Sequence, residues 1–369
     1  MPLQNTNKNI VVTKECGTIK SKGKNMKYLK KSLEGKIPYY SKEITDGIIL
    51  NANESAFETP REIVELTKKE LDKLDLRRYP DTDNTLIRES IAKAYKLNIE
   101  NVTIGVGSDQ LLDCIFKSMI DDEYIVSCNP TFSMYKEYAS FTNCKFIDVD
   151  FKDDVNFEFD TDKIIDNIKK YNPKLVIICS PNNPTGSAIK RNDLELIIKE
   201  TNGVVLLDEA YAEFYETNYD LINKYDNLIV LKTFSKAYAL AGIRLGYALA
   251  NKDLIDTINV VKPPYNMSRI SSVIASIAIE HKDLYDENIK KIINLRDVLF
   301  DDLNKLGLNP VKSYSNFIFI KLNDKIYNHL LQNKIYIRRL KYKNEYWHRI
   351  TVGREQENEV LINCIKQAL

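Results

Sequence analysis

Short runs that are apolar at every position recur through the middle of the chain, separated by stretches with helical periodicity. Leu175 to Cys179, Val204 to Leu207 and Leu228-Ile229-Val230-Leu231 are continuous apolar runs. Val102-Thr103-Ile104, Tyr124-Ile125-Val126 and Lys145-Phe146-Ile147-Asp148-Val149 read as further strands. One intervening helix places Leu111, Leu112, Ile115, Phe116, Met119 and Ile120 on one side, and another, Thr161 to Tyr171, turns Ile164, Ile165 and Ile168 inward. Strands apolar on both faces, alternating with helices, predict an α/β unit whose mainly parallel sheet is covered by helices. Upstream, Pro60 opens an amphipathic helix carrying Ile63, Val64, Leu66, Leu71 and Leu74, and a second runs from about Thr85 to Tyr95. The last third changes character. A long helical region from about Asp283 to Leu306 precedes strands at Asn316–Ile320, Lys334–Arg339 and Arg349–Gly353 and a closing helix. That pattern predicts a smaller α+β domain.

The expected organisation is therefore a flexible polar extension over 1–25, an N-terminal arm over 26–60, a large domain over 61–270 and a small one over 271–369. Met26 is a possible alternative start. Charge changes the picture only by exclusion: 53 basic and 52 acidic residues, evenly mixed, leave neither a nucleic-acid footprint nor a polybasic membrane surface. No apolar run is long enough to span a bilayer, and no signal peptide is evident. The cysteines are scattered without CxxC spacing, and His281, His329 and His348 lie far apart. That spacing predicts no metal site, free thiols and a cytoplasmic protein.

The polar motifs fall just after the apolar strands, where parallel sheets bind ligands. Lys236 stands in Thr233-Phe234-Ser235-Lys236-Ala237, with Arg244 eight residues on. A lysine in a pocket loses basicity and becomes a nucleophile toward aldehydes, while Thr233, Ser235 and Arg244 suit a phosphate. Pyridoxal 5′-phosphate meets all of these demands, carried on Lys236. Asp208, emerging from an apolar strand, would face its ring nitrogen. Tyr211 and Asn183 would serve the ring oxygen, and Phe132 would cover the ring face. Ser108 and Asp109 open a helix whose N–H groups would hold the phosphate. Singly, each has a plainer reading. Lys236 could be a solvated strand-end lysine, Asp208 a helix cap, the Asn183-Pro184-Thr185-Gly186 stretch a turn, Phe132 a core residue, and Ser108-Asp109 an ordinary capped helix start.

The motifs Asn51-Ala52-Asn53-Glu54, Arg78-Tyr79-Pro80-Asp81, Gly107-Ser108-Asp109, Pro130 to Tyr135, Ser180 to Gly186, Asp208 to Tyr211, Thr233 to Tyr247, Lys262 to Asn266 and Arg349 to Gly353 carry a resemblance. Together they resemble fold-type I pyridoxal-phosphate enzymes, and within these the histidinol-phosphate aminotransferases. The resemblance implies an aspartate-aminotransferase-like fold and amino-group exchange between histidinol phosphate and 2-oxoglutarate. It implies Lys236 as the proton shuttle, a homodimer in which Tyr79 reaches the other subunit's cofactor phosphate, and Tyr265 lining the pocket. Arg349 would hold the carboxylate of glutamate and the phosphate of histidinol phosphate, with Arg338 adding charge; strand alternation allows only one of Arg338 and Arg339 to face the pocket. A threonine-phosphate decarboxylase-like lyase and an aromatic or other amino-acid aminotransferase are the alternatives. Ala241-Gly242, where that lyase commonly has Pro-Gly, argues for the transferase. Four departures bear on substrate. Ser55 follows Glu54 where some members soon carry a tyrosine, Gln110 replaces an acid, His348 replaces an aliphatic, and Arg354 replaces a small residue.

Overall fold

The computed structural model describes residues 44–369, with 28–30, 33–34, 36 and the backbone of 11–12 and 19–20. Most of the expected extension over 1–25, and Met26, lie outside the described residues. The described pieces there, β1 (Val11–Val12) and β2 (Ile19–Lys20), pair antiparallel. The chain continues with β3 (Ile48–Leu50), α1 (Arg61–Leu71), α2 (Thr85–Tyr95), β4 (Val102–Val106) and α3 (Gly107–Met119). Then come β5 (Tyr124–Asn129), α4 (Met134–Ala139), β6 (Lys145–Asp150), α5 (Thr161–Tyr171), β7 (Leu175–Cys179) and α6 (Arg191–Glu200). β8 (Val204–Asp208), β9 (Leu228–Thr233), β10 (Leu245–Leu249), α7 (Lys252–Asn259) and α8 (Arg269–Glu280) follow. The last third holds α9 (Asp286–Lys305), β11 (Phe317–Ile320), α10 (Asp324–Gln332), β12 (Ile335–Tyr342), β13 (Glu345–Thr351) and α11 (Glu355–Ala368).

The large sheet has seven strands in the order β4-β10-β9-β8-β7-β5-β6. Its apolar runs are explained by burial on both faces. In β7, Leu175, Ile177 and Cys179 join a core with α3 and α7, while Val176 and Ile178 join a core with α2, α5, α6 and α8. All neighbouring pairs are parallel except those made by β10, which runs antiparallel to β4 and β9. The sequence pattern did not predict β10 as a strand. The link from β9 holds only a short turn and the 3₁₀ segment Ala241–Ile243. That is too little chain for a crossover, so the strand must return antiparallel.

The small sheet runs β11-β13-β12-β3. Its edge strand β3 comes from the N-terminal arm and pairs parallel with β12, Ile49 opposite Tyr336. The α8 helix packs on α1 and α2 beside the large sheet, so the expected division at residue 270 falls within a large-sheet helix. Farther on, α9 spans both cores: Ile292 packs near Tyr211 and Phe317, whereas Leu299 and Leu303 pack under the small sheet.

Alternation sorts the small sheet's polar residues. Arg338 pairs with Arg349, and Phe319 stands opposite Arg349, so these three share one face. Arg339 and His348 share the other. There the Arg339 guanidinium lies 3.6 Å from the Tyr346 ring centroid and 4.8 Å from that of Tyr327, and it pairs with Asp324. His348 is fully buried, accepts from the Leu322 N–H at 3.3 Å and lies 5.0 Å from the Tyr327 ring. Burial first, then the Arg339 charge, bring its pKa down to about 4. The departure at 348 therefore lies behind the sheet, away from the face that carries Arg349.

Because the folded imidazole binds its proton more weakly than the unfolded one, the stability it leaves intact above about pH 6.5 is lost as pH falls toward about 4. Integrated over that window the loss is on the order of 3 kcal/mol. The thermal midpoint should fall more steeply between pH 7 and pH 4.5, spanning that window, in the parent protein than in His348→Leu; parallel slopes would contradict the assignment.

Candidate active site

Parallel neighbours end together, so the residues that follow β5, β7, β8 and β9 converge at one edge of the large sheet. There Asp208, Asn183, Tyr211, Phe132, Thr233, Ser235 and Lys236 line a cavity of about 310 Å³. Ser108, Asp109 and Arg244 form another wall, and Arg349 from the small sheet a further one.

Asp208 ends β8 and is buried. One carboxylate oxygen accepts from the Tyr135 hydroxyl at 2.5 Å, the other from the Ala210 N–H at 3.0 Å. Burial raises its pKa to about 6 against the pull of these bonds. Both donors are neutral, so a cation brought to this carboxylate would be strongly favoured. Lys236 is half-buried, and its Nζ donates to the Ala52 carbonyl at 3.0 Å. Burial, then the Arg349 guanidinium, lower its pKa to about 8. A neutral amine is therefore accessible near neutral pH, as an attacking or proton-moving lysine requires.

Tyr211 is also buried, and burial pushes its phenol up to about 12, so it keeps its proton. Asn53 Nδ2 donates to the Tyr211 oxygen at 2.9 Å. Asn53 is itself fixed from three sides: its N–H donates to Thr351 Oγ1, its Oδ1 accepts from the same hydroxyl, and its carbonyl accepts from Asn316. Across the cavity Arg349 donates to Asn183 Oδ1 at 2.6 Å and to the Asn51 carbonyl at 2.8 Å. With Oδ1 engaged, the Asn183 amide has its NH₂ to offer the cavity.

The start of α3 is not an ordinary capped terminus. Its N-cap position is Val106, and no side chain caps it. The Gln110 Oε1 instead accepts from the Val106 N–H and from Asn266 Nδ2, each at 2.8 Å. Those contacts use only an acceptor, which is why an amide serves where an acid is usual. The first-turn N–H groups of α3 are thus presented to an anion together with the helix dipole. Gly246 lets β10 approach this turn, since a Cβ there would lie 2.3 Å from the Ser108 nitrogen. Gly107 has φ +69° and lies against Arg244, whose guanidinium meets Asp109 at 3.3 Å. Thr233 Oγ1 accepts from the Ser235 N–H at 3.1 Å, which tightens the strand end before Lys236.

A wider cavity of about 640 Å³ adjoins this one and shares Ala52, Asp109, Phe132, Asn183 and Arg349 with it. Arg338 lines it, and Arg339 does not. Ser55 and Arg354 line a third hollow instead; there Arg354 binds the Ala56 carbonyl and pairs with Glu58. Tyr79 and Tyr265 line neither main cavity. They are 77% and 47% exposed and pack on each other with tilted rings, centroids 4.7 Å apart.

Two groups here had no role assigned from sequence. Tyr135 lies in the first turn of α4, three residues past Phe132 and with its ring 5.5 Å from that one, and that nearness in sequence could have linked it to the ring-covering residue. Asn53 lies in an irregular arm with φ 55°, where no periodicity points to it. The donor set fits pyridoxal phosphate: a buried carboxylate with only neutral donors, an amine lowered to about 8, and an uncapped helix start beside an arginine. Among the described residues no cluster of His, Cys, Asp or Glu could hold a metal ion, and no helix is long and apolar enough to cross a membrane.

Comparison with known proteins agrees with this geometry. Residues 45–365 match the family of aminotransferases class I and II. Relatives include the histidinol-phosphate aminotransferase of Thermoanaerobacter sp. strain X514, 38% identical over 327 residues (87% of this chain, 92% of the relative). Another, from Pyrococcus furiosus, is 35% identical over 333 residues (90% and 95%). Among solved structures, the Clostridium acetobutylicum histidinol-phosphate aminotransferase superposes with TM-score 0.80 at 23% identity, covering 87% of this chain and 98% of that one. The Sinorhizobium meliloti enzyme in complex with pyridoxal-5′-phosphate gives 0.79 at 23% identity (87% and 90%). At those identities the structures speak for the fold, and the sequence relatives for the family. The chain belongs to the class I and II aminotransferases, in the group of the histidinol-phosphate aminotransferases.

Proposed function

We propose that this pyridoxal-phosphate-dependent transaminase exchanges the amino group between histidinol phosphate and 2-oxoglutarate, giving imidazole-acetol phosphate and glutamate, a step of histidine biosynthesis. The observation that carries this reading is the pairing of Arg338 and Arg349 across neighbouring strands, Arg349 lining the cavity that holds Lys236 and both lining the wider cavity that adjoins it. Two guanidiniums side by side suit a phosphate on one substrate and a carboxylate on the other. The sequence relatives named for the same reaction support it.

The cofactor supplies an electron sink that lets a proton leave the carbon bearing the amino group. Asp208 would face the ring nitrogen and keep its proton there. Tyr135 orients that carboxylate, and Tyr211 and Asn183 donate toward the ring oxygen, with Asn53 fixing the direction of the phenol. Phe132 would cover the ring face. Ser108, Asp109, Thr233, Ser235 and Arg244 would hold the phosphate end. Lys236 would take the proton from the substrate carbon as base in one direction and return it as acid in the other. Arg349 holds the substrate anion beside Asn183, and Arg338 adds charge in the wider cavity.

The reading includes a homodimer. Tyr79 and Tyr265 form an exposed aromatic pair that lines neither main cavity of its own chain, as expected if they serve a partner's site. All five described cysteines are free thiols, which supports a cytoplasmic setting.

Histidinol phosphate mixed with the yellow holoenzyme in the absence of keto acid should bleach about one equivalent of cofactor per site and release imidazole-acetol phosphate without carbon dioxide. Bleaching by phenylalanine alone would replace the substrate, and release of carbon dioxide would make the protein a lyase. Lys236→Ala should lose turnover by several orders of magnitude, about 10⁴-fold or more, while remaining folded. Tyr135→Phe should weaken cofactor retention roughly tenfold, because a charged buried group loses a hydrogen bond; unchanged retention on dialysis would count against the role given to Asp208. Sedimentation at micromolar concentration should give twice the chain mass, and a monomer with full activity would exclude the shared site.

A further inference from the structure

Residues 151–159, between β6 and α5, leave the large sheet, touch the small one through Asp154 and Phe157, and return to α5. Phe157 in this segment is fully buried and has φ 52°, a left-handed backbone that a bulky residue keeps only where its surroundings hold it there. Its ring centroid lies 5.6, 5.8 and 5.3 Å from those of Phe319, Tyr342 and Trp347, all on the small sheet. Trp347 in turn stacks on Phe319 at 4.9 Å. A second contact hooks the tip of the β12–β13 hairpin. Lys343 and Asn344 form its two-residue turn, with φ 43° and 65°, as such turns require. Asp154 accepts from the Tyr342 hydroxyl at 2.9 Å and from Lys343 Nζ at 3.0 Å on both oxygens.

These contacts fall on the face of the small sheet that matters for substrate. Leu340 is paired with Trp347, Arg338 with Arg349, and Arg349 with Phe319, so the aromatic residues and the two arginines share one face. Segment 151–159 grips the aromatic residues, and Phe319 and Tyr342 among them line the wider cavity beside the two arginines. A guanidinium recognising an anion in a bidentate manner must be held to within about half an ångström, so its reach depends on how the sheet beneath it is fixed.

We propose that segment 151–159 is a substrate-positioning clamp: by packing Phe157 against Trp347 and Phe319 and tethering the hairpin through Asp154, it sets the stance of Arg338 and Arg349 over the cofactor cavity. Asp154 and Phe157 are positioning residues, since neither lines the cofactor cavity. The clamp rests on the anion-binding roles given above to the two arginines. It implies that loosening the tether weakens both anionic substrates and leaves cofactor retention alone.

The test is steady-state kinetics on the holoenzymes of Asp154→Ala, Asp154→Asn, Arg338→Ala and the Asp154→Ala/Arg338→Ala double variant. Asp154→Ala should raise KM for histidinol phosphate and 2-oxoglutarate by about fivefold to tenfold, with kcat within about twofold and cofactor retention unchanged. Asp154→Asn keeps an acceptor for Tyr342 and gives up the charge facing Lys343, so it should fall between the two. The double variant should lose less than the product of the single effects, as coupled residues do. Trp347 is the sole tryptophan and reports the grip directly; its emission should move to the red in Asp154→Ala. If Arg338→Ala raises KM and Asp154→Ala does not, the clamp is wrong and the arginine assignment stands. If Arg338→Ala leaves KM unchanged, both fall. A uniform loss of kcat, cofactor retention and thermal midpoint in Asp154→Ala and Asp154→Asn would mark a merely structural contact and also overturn the clamp.

Discussion

Everything in the site follows from one buried carboxylate. Asp208 ends a strand whose preceding residues, Val205, Leu206 and Leu207, are wholly inaccessible, and burial first, with the Asp109 and Glu209 charges behind it, resists its ionisation. Such a group persists where its ionised form has work to do, and here its two neutral donors orient it toward a cavity without discharging it. The neighbouring strand solves the opposite problem. Lys232 on β9 is fully buried too, yet it is matched at once by Glu209 at 3.0 Å and Glu213 at 2.9 Å. One charge is neutralised inside the protein and the other is left for a ligand, a contrast made by side-chain direction on adjacent strands.

The two sheets divide the labour. The large one fixes what the cofactor needs, because parallel strands bring their carboxyl ends together with little freedom. The small one adds a single face shared by two cations and an aromatic cluster. Between them run α9, the arm through Asn53, and the segment carrying Phe157.

Much of this was legible in the sequence. Leu175 to Cys179 announced a doubly buried strand because every position must face a core, and the polar residues after such strands announced the cavity. The alternation that permits only one of Arg338 and Arg339 to face the cavity was also readable; which one does so required the register with β13. Other features left no local trace. β10 begins inside the lysine motif, where Arg244 just before it and Gly246 within it hide the strand pattern. The tyrosine that holds Asp208 comes from 73 residues upstream, and the asparagine that aims Tyr211 from 158 upstream. His348 looked like a substrate-side change because sequence gives its neighbour and not its face. These are long-range facts, and periodicity reports only short-range ones.

The arm strand β3 has one more consequence. Its parallel partner, β12, lies near the opposite end of the chain, Ile48 opposite Ile335, and Asn53 binds Thr351 and Asn316. Parallel pairing over such a sequence distance pays a large loop-closure entropy and forms late. During synthesis from the N-terminus, the large sheet and its lysine emerge before the residues that anchor Asn53 and so orient Tyr211. The nascent chain therefore cannot assemble a finished cofactor site before Asn316 and Thr351 have been made; competence waits for residues far downstream of the lysine.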